Sequence, residues 1–429
     1  MEQKRTQIRR IQIAATIGGL LLSSSSDAQQ RPPTRVTLDR ALQLARESSP
    51  LLQAARYRID EARGDLTGAS ILLVNNPQVR ASAGQRRATD NAETNVEFEV
   101  RFGQRFEIGG QRGDRMDEAN ARLRATEAAA NDVQRVVELA IATSFYDALA
   151  ARDRVQLRTD SRELAERLFQ VATKRLERGA GVPLEVNTAR IRRAEADRRL
   201  LAARSQERAS LLRLKQLLGL PSKSKLTLQG ELPKAALAQS DEVLVSRALK
   251  ERPDLLQANQ RIEVARASTK LADANAWPDI SLGFSYGKEE QNNIFMGGLR
   301  TTIPLFNRNQ GVRQRERATL RRRQAEQTAL KLEVEAELRR ELLAYGQARA
   351  GLLLYDAEVL RAQEESLQLL QRAFQAGDIG IPNVIVVQRE VIESREGYLD
   401  VRLELARTRA AVLAAAHLPQ TTTSQGKTP

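Results

Sequence analysis

The side chains that could do chemistry in this chain are almost all carboxylates and guanidinium groups. The sequence holds 54 Asp and Glu residues and 68 Lys and Arg residues, but a single histidine, His417, and no cysteine. Acids and arginines are neighbours along helical stretches, as in Arg162-Glu163, which favours salt bridges over a paired general acid and base. Without a thiol and with one histidine, thiol–histidine pairs and Ser-His-Asp relays lack partners. The sequence therefore predicts a protein that is not an enzyme.

Sites for cofactors, metals and nucleic acids are also poorly supported. The glycines between Gly109 and Gly113 lack the lysine of a phosphate-binding loop. The absence of cysteine excludes a disulfide, a thiolate metal site and a lipid-acceptor cysteine. The formal charge of +14 would suit nucleic acid, but aromatic residues, which stack on bases, make up only 4% of the chain. We predict no cofactor, no metal site and no nucleic-acid partner, and interpret the charge as solvated helix faces.

Residues 1–28 have the pattern of a signal peptide. Four basic residues between Lys4 and Arg10 precede a short apolar stretch from Ile11 to Leu22, and Ser26-Asp27-Ala28 offers small residues for cleavage. The alternative is a frayed N-terminal helix. No later segment approaches the roughly 18 apolar residues that a transmembrane helix needs. We therefore expect export from the cytosol, and strands as the only elements that could cross a membrane.

The predicted elements that carry these side chains occur twice along the chain. Residues 50–63 and 253–266 share the order proline, leucines, Arg-Ile, an acid and Ala-Arg, at an offset of 203. Each copy continues into an alternating segment that begins at a proline, Pro77 and then Pro278. A long internal repeat indicates one supersecondary unit used twice.

Each copy is predicted to begin with a helix and to continue as a β-hairpin. Apolar residues at spacings of three and four predict a helix over 36–74. In the hairpin at 77–106, Val96, Phe98, Val100 and Phe102 alternate with charged residues, and the hairpin at 278–304 repeats this pattern. Strands of about ten residues with one apolar and one polar face match membrane barrel strands. The alternative is a soluble hairpin that packs its apolar face on a core.

Two very long helices follow the hairpins, at about Asp114–Glu177 and Val312–Gln375, and each has coiled-coil spacing of its apolar residues. Each ends at a glycine-containing turn, 178–186 and then 376–384, and a return helix follows, at about Glu185–Leu218 and Val384–Ala416. The predicted segments are a first repeat at 36–218, a linker at 219–240, a second repeat at 241–417 and a disordered tail at 418–429. The four strands of one chain leave open edges, which hydrocarbon does not tolerate, and they are too few to close a barrel. The chain is therefore predicted to oligomerise.

Two segments then suggest a family. The residues Gln104-Arg105-Phe106-Glu107-Ile108-Gly109-Gly110-Gln111-Arg112 and Pro304-Leu305-Phe306-Asn307-Arg308-Asn309-Gln310-Gly311 resemble the TolC family of outer-membrane efflux proteins. Within it they are most similar to the CzcC-type members of cobalt–zinc–cadmium export systems. The resemblance covers about Val36 to His417.

The resemblance implies a mainly α fold with a small antiparallel β part, made of an internally duplicated long-helix coiled coil and four strands per chain. Three chains would form a twelve-stranded outer-membrane β-barrel, in contact with lipid, and a periplasmic α-barrel, in a Gram-negative bacterium. A periplasmic membrane-fusion adaptor would bind the tips of the α-barrel and connect it to an inner-membrane resistance-nodulation-division pump. The chain would be a passive conduit, most simply for divalent heavy-metal ions. The alternatives are a duct for drugs or organic solutes, and a soluble exported coiled-coil scaffold.

The resemblance also assigns residues to the two tips. The tip and adaptor-contact residues would be Gly179, Leu184, Glu185, Val186, Gly377, Ile379, Pro382, Asn383 and Val384. Related proteins carry a ring of acids after the second turn, but the matching positions here are Asn383 and Val386. Glu185 keeps the first acidic position, and Asp378 and Glu390 are the candidates to replace the missing acids in a gate. The alternative for Glu185 is an ordinary acid that the dipole of its helix favours.

The polar faces of the hairpins supply the remaining candidates. If the barrel forms, their charged residues would line its lumen and tune the passage of ions. The lumen residues would be Arg80, Glu97, Glu99, Arg101 and Arg300. The alternative for each is a solvated side chain without a specific role.

Overall fold

The computed structural model describes residues 34–87, 94–233, 237–289, 292–355, 357–376 and 379–420. The predicted signal peptide therefore lies outside the described residues. The first repeat contains β1 (Thr34–Val36), α1 (Leu38–Ser48), α2 (Pro50–Ser70), β2 (Gln78–Arg87), β3 (Thr94–Phe106), α3 (Gln111–Glu177) and α4 (Pro183–Leu217). The strand β4 (Leu226–Leu228) lies in the predicted linker. The second repeat contains α5 (Asp241–Glu251), α6 (Pro253–Ala274), β5 (Ile280–Glu289), β6 (Asn292–Thr301), α7 (Gln310–Leu353), α8 (Ala357–Ala376) and α9 (Ile381–Ala415). The chain is mainly α with a small antiparallel sheet, as predicted.

The helix predicted over 36–74 is two helices. Pro50 is the first residue of α2, and Ser49 before it is extended, with φ −66° and ψ 122°. A proline disfavours helical conformation in the residue that precedes it, so the chain turns at this point. The second repeat does the same at Arg252 and Pro253.

The two long helices differ from one another. The α3 helix has 67 residues and is therefore about 100 Å long. The predicted second long helix is wrong as a single element, because α7 ends at Leu353 and α8 begins at Ala357. At the break, the Tyr355 ring lies 5.5 Å from the ring of Tyr398, and its hydroxyl lies 2.5 Å from where a Cβ on Gly397 would be. The break thus turns Tyr355 onto α9 at a position where only glycine leaves room.

The four long strands form one antiparallel sheet in the order β2-β3-β5-β6. Its register places Val79 opposite Phe102, Phe102 opposite Phe284, and Tyr286 opposite Phe295, so the apolar residues of the strands share one face. Side chains two residues apart point to the same side of a strand, and this collects the alternating apolar residues. Within the described residues, β2 and β6 are edge strands, each with one neighbour in the sheet.

Three apolar cores hold the helices together. The first lies where β1, α1 and the segment with β4 meet the middle of α3, and the second joins α5, α7 and α9. The parallel pair β1–β4 belongs to the first core and lies partly in the predicted linker, where Leu228 and Leu232 are buried. The third core joins the C-terminal ends of α3 and α8 to the N-terminal ends of α4 and α9.

The predicted tail begins too early at 418. The Leu418 N–H donates to the Leu413 carbonyl at 2.6 Å, and Gln420 is 3% exposed, with its amide donating to the Ala410 carbonyl at 2.8 Å. These residues cap α9, and residues 421–429 lie outside the described residues. Among the helices described, none combines the length and the apolar character that spanning a membrane requires.

Candidate functional site

The predicted lumen residues lie on one face of the sheet, opposite the apolar face. Arg80 pairs with Arg101 across β2 and β3, Glu99 pairs with Ser82, and Arg300 pairs with Ser281 across β5 and β6. Glu97 lies two residues before Glu99 on β3, so its side chain is on the same face, and it is opposite Gly84 in the register. The structure therefore brings all five predicted lumen residues to one polar surface.

This polar surface holds further charged residues that the sequence analysis did not single out. Arg86 forms salt bridges of 2.8 Å with Glu97 and with Glu289 of the second hairpin, and Arg105 pairs with Asp279. The alternation of the sequence along β2, β3 and β5 could have identified these residues, because each lies an even number of residues from other polar-face residues of its strand. Arg101 contacts Glu99 at 2.8 Å. The polar face is thus a network of ion pairs that links both hairpins.

The first tip is built around three closely spaced glycine and alanine residues. Gly179 has φ +73°, and its N–H and that of Ala180 donate to the Leu176 and Arg175 carbonyls at 3.0 and 2.9 Å. A left-handed residue that closes a helix in this way is most easily a glycine. A Cβ on Gly181 would lie 2.9 Å from the Leu176 nitrogen, so Gly181 allows the chain to fold back tightly.

The second tip is described from Ile379 onward, so Gly377 and Asp378 lie outside the described residues. Gly380 is extended, with φ −80° and ψ 160°, and α9 begins at Ile381 with Pro382 in its first turn. Pro183 opens α4 in the same way. Prolines at these positions have the right φ, and their missing N–H groups would have no helical partner.

A buried apolar cluster, here called the tip core, joins the two tips. It contains residues of all four helices that meet there: Leu168, Ala172, Val186, Ala189, Leu370, Phe374, Ile381, Val384 and Ile385. Ile381 is 0% exposed and Val384 2%. The coiled-coil spacing of the long helices is visible in the sequence, but the packing of Leu168, Leu370 and Phe374 with the start of α9 is not.

The tip core divides the predicted tip residues into two groups. Val186 and Val384 are buried inside the core, and Ile379 packs partly against it, so these three hold the tips together within the chain. Gly179, Leu184, Pro382 and Asn383 are exposed. The exposed group can present a surface to another protein.

Glu185 and Glu390, two of the gate candidates, lie in different surroundings. Glu185 is partly buried in the first turn of α4, and its Oε1 lies 4.0 Å from the position of a Cβ on Gly380. It therefore faces the second tip, while it also has the helix position that favours an acid. Glu390 is exposed on α9.

Further from the turns, α3, α4 and α9 carry charged residues that pair within and between the helices. Glu195 of α4 accepts hydrogen bonds from Arg199 at 2.5 Å and Arg192 at 3.2 Å, and Arg158 of α3 pairs with Glu396 of α9. The hydrogen bond from Arg199 is the main reason that the pKa of Glu195 is lowered. A small cavity of about 50 Å³ lies between α3, α4 and α9 at this level.

An apolar groove runs between α3 and α8 beside the tip core. It has a volume of about 160 Å³, and its floor is made of leucine and phenylalanine side chains: Leu164, Leu168, Leu367, Leu370 and Phe374. Arg167 and Lys174 border it. The groove is thus an apolar surface with a basic rim, close to the exposed tip residues.

His417 is the single histidine of the chain. It lies at the end of α9 with φ +53° and borders a cavity of about 530 Å³ together with Arg135 and Arg247. Burial, and then these two arginines, lower its pKa. In the part of the chain that the structure describes, no group of three or more His, Cys, Asp or Glu residues could hold a metal ion.

Comparisons with known proteins extend over most of the chain. Residues 41–220 and 244–416 match the family described as outer membrane efflux protein. The cobalt-zinc-cadmium resistance protein CzcC of Cupriavidus metallidurans is 26% identical over 379 residues, which cover 85% of this chain and 86% of that protein. The pyoverdine export outer membrane protein OpmQ of Pseudomonas putida is 25% identical, covering 87% and 84% of the two chains.

The fold also matches a solved structure. The outer membrane protein VceC of Vibrio cholerae aligns with a TM-score of 0.72 at 17% identity, covering 90% of this chain and 97% of that one. An alignment over nearly all of both chains at this identity reflects the shared fold. The chain is therefore a member of the outer membrane efflux protein family, an efflux component of the outer membrane rather than an enzyme.

Proposed function

We propose that this protein is the outer-membrane duct of a tripartite exporter that carries divalent heavy-metal ions. The observation that carries the proposal is the similarity to CzcC along 85% of the chain. The family match at residues 41–220 and 244–416 includes both glycine-containing turns and both strand exits. Membership of the efflux family excludes the soluble coiled-coil scaffold. The duct performs no chemistry, so the lack of a metal-ligand cluster among the described residues does not argue against metal cargo, and the pump supplies the energy.

A second candidate is export of an organic solute. The similarity to OpmQ, a pyoverdine export protein, favours it. Deleting the gene and measuring growth on cobalt, zinc, cadmium, nickel and copper salts, and on dyes, detergents and antibiotics, separates the two. Sensitivity to metals alone, restored by the gene, supports the metal duct. Sensitivity to organic compounds alone would replace it with the second candidate.

The assembly in this proposal is a homotrimer that contacts outer-membrane lipid. The sheet of one chain has two free edges, and an open edge is not tolerated in hydrocarbon because its backbone groups would remain unpaired. Twelve strands from three copies close the sheet, with the apolar face toward lipid and the network of Arg80, Glu97, Glu99, Arg101 and Arg300 toward the lumen. Cross-linking of the protein in native membranes tests the copy number.

The partners in this proposal meet the exposed tips. A periplasmic membrane-fusion adaptor would contact Gly179, Leu184, Pro382 and Asn383 and use the apolar groove between α3 and α8, and it would connect the duct to a resistance-nodulation-division pump. Docking would splay the tips, with Glu185 at the gate. In this proposal Gly377 also contacts the adaptor, and Asp378 and Glu390 contribute to the gate.

A matched pair of variants tests the first tip. Replacing Gly179 with tryptophan adds bulk at a position where a Cβ meets nothing within 4 Å, but φ +73° strains the new residue by about 1–2 kcal/mol. Asparagine tolerates this conformation better, so Gly179→Asn serves as the control for strain. Loss of export in Gly179→Trp, with trimers intact and export kept in Gly179→Asn, supports adaptor contact. Normal export in both variants would contradict the tip assignment.

A further inference from the structure

The duplication gives the chain two joints at which a return helix ends against the first helices of its own repeat. Joint one lies between the end of α4 and the turn from α1 to α2, and joint two between the end of α9 and the turn from α5 to α6. The two return helices end alike, at Leu218-Gly219-Leu220-Pro221 and at Ala416-His417-Leu418-Pro419. Gly219 and His417 are both left-handed, with φ +69° and +53°, and the leucine after each donates its N–H to the carbonyl five residues earlier, at 2.9 and 2.6 Å. His417 is therefore the counterpart of Gly219.

Joint one is closed by direct contact. Ser48 Oγ donates to the Leu218 carbonyl oxygen at 2.7 Å. A Cβ on Gly219 would clash with the Ser48 carbonyl oxygen and would lie 3.1 Å from Pro50 Cδ. Glycine thus allows the end of α4 and the turn before α2 to approach more closely than a residue with a side chain would.

Joint two is arranged differently. At the offset of 203 between the repeats, Pro253 corresponds to Pro50, but Glu251 replaces Ser48. His417 has a side chain at the position of the glycine, and a cavity of about 530 Å³ lies between the end of α9 and the start of α6. His417, Glu251 and Pro253 all line this cavity. The second joint is therefore open around an imidazole.

The charged residues that line the cavity with His417 come from α3 and α5: Arg135, Glu138, Arg247 and Glu251. The α6 residues at the cavity, Pro253 and Leu256, are uncharged, and Asp254 of α6 lies 3.9 Å from Arg135. The four charged residues already have ion-pair partners, in the pairs Glu138–Arg46, Glu251–Arg247 and Arg135–Asp132 at 2.8, 3.1 and 2.7 Å. A proton on the imidazole would therefore add a partly buried charge where both cavity carboxylates are already engaged.

The balance of these effects disfavours a protonated His417. Burial, and then Arg135 and Arg247, lower its pKa, and the opposing charges of Glu251 and Glu138 do not reverse this. A lowered pKa means that the folded joint accommodates the neutral imidazole better than the charged one. The stabilisation from the neutral form is complete above the ordinary histidine pKa of about 6.5 and is lost as the pH falls below that value.

We propose that joint two is an acid-sensitive switch: protonation of His417 beside Arg135 and Arg247 weakens the contact between the end of α9 and the start of α6. Joint one has a glycine at the same position and lacks this switch. Since α9 begins in the tip core with Ile381, the tip core holds one end of this helix while the joint controls the other. The proposal concerns the fold of one chain and depends neither on the cargo nor on the number of copies.

Hydrogen exchange of the detergent-solubilised protein, prepared without a histidine tag, tests the switch. Exchange is followed at about pH 7.5 and about pH 5, which lie on either side of the ordinary histidine pKa and above those of Asp and Glu, and is corrected for its intrinsic dependence on pH. Segment 412–418 of joint two is expected to lose protection at the lower pH. Segment 214–220 of joint one is the matched control within the same molecule and is expected to keep its protection at both pH values.

Two variants separate the imidazole from a general effect of acid. His417→Asn removes the titrating group but keeps a residue that tolerates the left-handed conformation, so segment 412–418 should be equally protected at both pH values. His417→Gly introduces the residue of joint one and has the same expected result. Equal protection at both pH values in the natural protein, an acid-induced loss in either variant, or an equal loss in both joints would overturn the proposal.

The protonation of His417 can also be measured directly, because the sequence contains no other histidine. An NMR titration of protein labelled with carbon-13 in histidine is expected to give a pKa below the ordinary value of 6.5. A pKa at or above that value would mean that the folded joint does not resist the proton, and the switch would then be refuted.

Discussion

Replacing Phe374 with alanine tests whether the tip core keeps the two tips together. Phe374 is 5% exposed and packs in this core with Ile381 and Val384 at the start of α9. Truncation of a buried phenylalanine costs about 3–5 kcal/mol. The apolar groove beside Phe374 already has a volume of 160 Å³, so less packing is lost than in a closed core and we use the lower value. About 3 kcal/mol corresponds to a roughly 100-fold shift toward separated tips.

The assay is entry of a large hydrophilic antibiotic that the outer membrane normally excludes. Cells that carry Phe374→Ala are expected to become more sensitive to it when the variant is present in the membrane at the level of the natural protein. Leu369 is the matched control, because it lies on the same helix, is 63% exposed, and its truncation is expected to change stability by no more than about 0.5 kcal/mol. Unchanged entry in Phe374→Ala, or an equal increase in both variants, would refute the role of the core.

Three further predictions follow from the charged residues. Glu185→Lys places a cation near Gly380 and at the start of α4, where the helix dipole disfavours it, so we expect a larger closed-state leak; unchanged single-channel conductance and antibiotic entry would contradict this. Arg252→Ala leaves the carboxylates of Asp254 and Glu337 without their buried partner, and we expect the free energy of unfolding to fall by about 3 kcal/mol, seen as a lower melting temperature in detergent. The control, Arg247→Ala at an exposed ion pair, should lower it by at most about 1 kcal/mol. Burial opposes ionisation of Asp254, but the hydrogen bond and the charge of Arg252 outweigh burial and lower the pKa of Asp254. The ionised Asp254 therefore contributes its full stabilisation above the ordinary aspartate pKa, and this stabilisation is lost as the pH falls below that value. Asp254→Asn should make the melting temperature vary less with pH across that range, and an unchanged slope would count against the assignment.

The strands were predictable from the sequence because their signal is local. Alternation from Val96 to Phe102 fixes which side chains share a face, whatever the strand pairs with. The register then confirmed that Arg80, Glu99 and Arg101 lie on the polar face. The duplication and the positions of the glycine-containing turns were equally visible, since glycine and proline act on the backbone of their own neighbourhood.

The roles within the tip were not predictable in the same way. Leu184 and Val186 are two residues apart and both apolar, yet Leu184 is 74% exposed and Val186 is 7% exposed. The difference arises from Phe374 and Ile381, which are almost 200 residues away and cover only one side of α4. Periodicity shows that a helix has an apolar side but not which distant segment covers it.

The sequence by itself determined the repeated order of helix, hairpin, long helix and return helix, because spacing and turn chemistry act over a few residues. Only the tertiary structure decided where that order is interrupted and which distant segments pair with one another. The break after Leu353 depends on Tyr355 finding space at Gly397 of α9, and the strand in the linker depends on Leu226–Leu228 pairing with Thr34–Val36 at the start of the described chain. Each of these contacts joins segments that are far apart in sequence, and a local pattern carries no information about its distant partner.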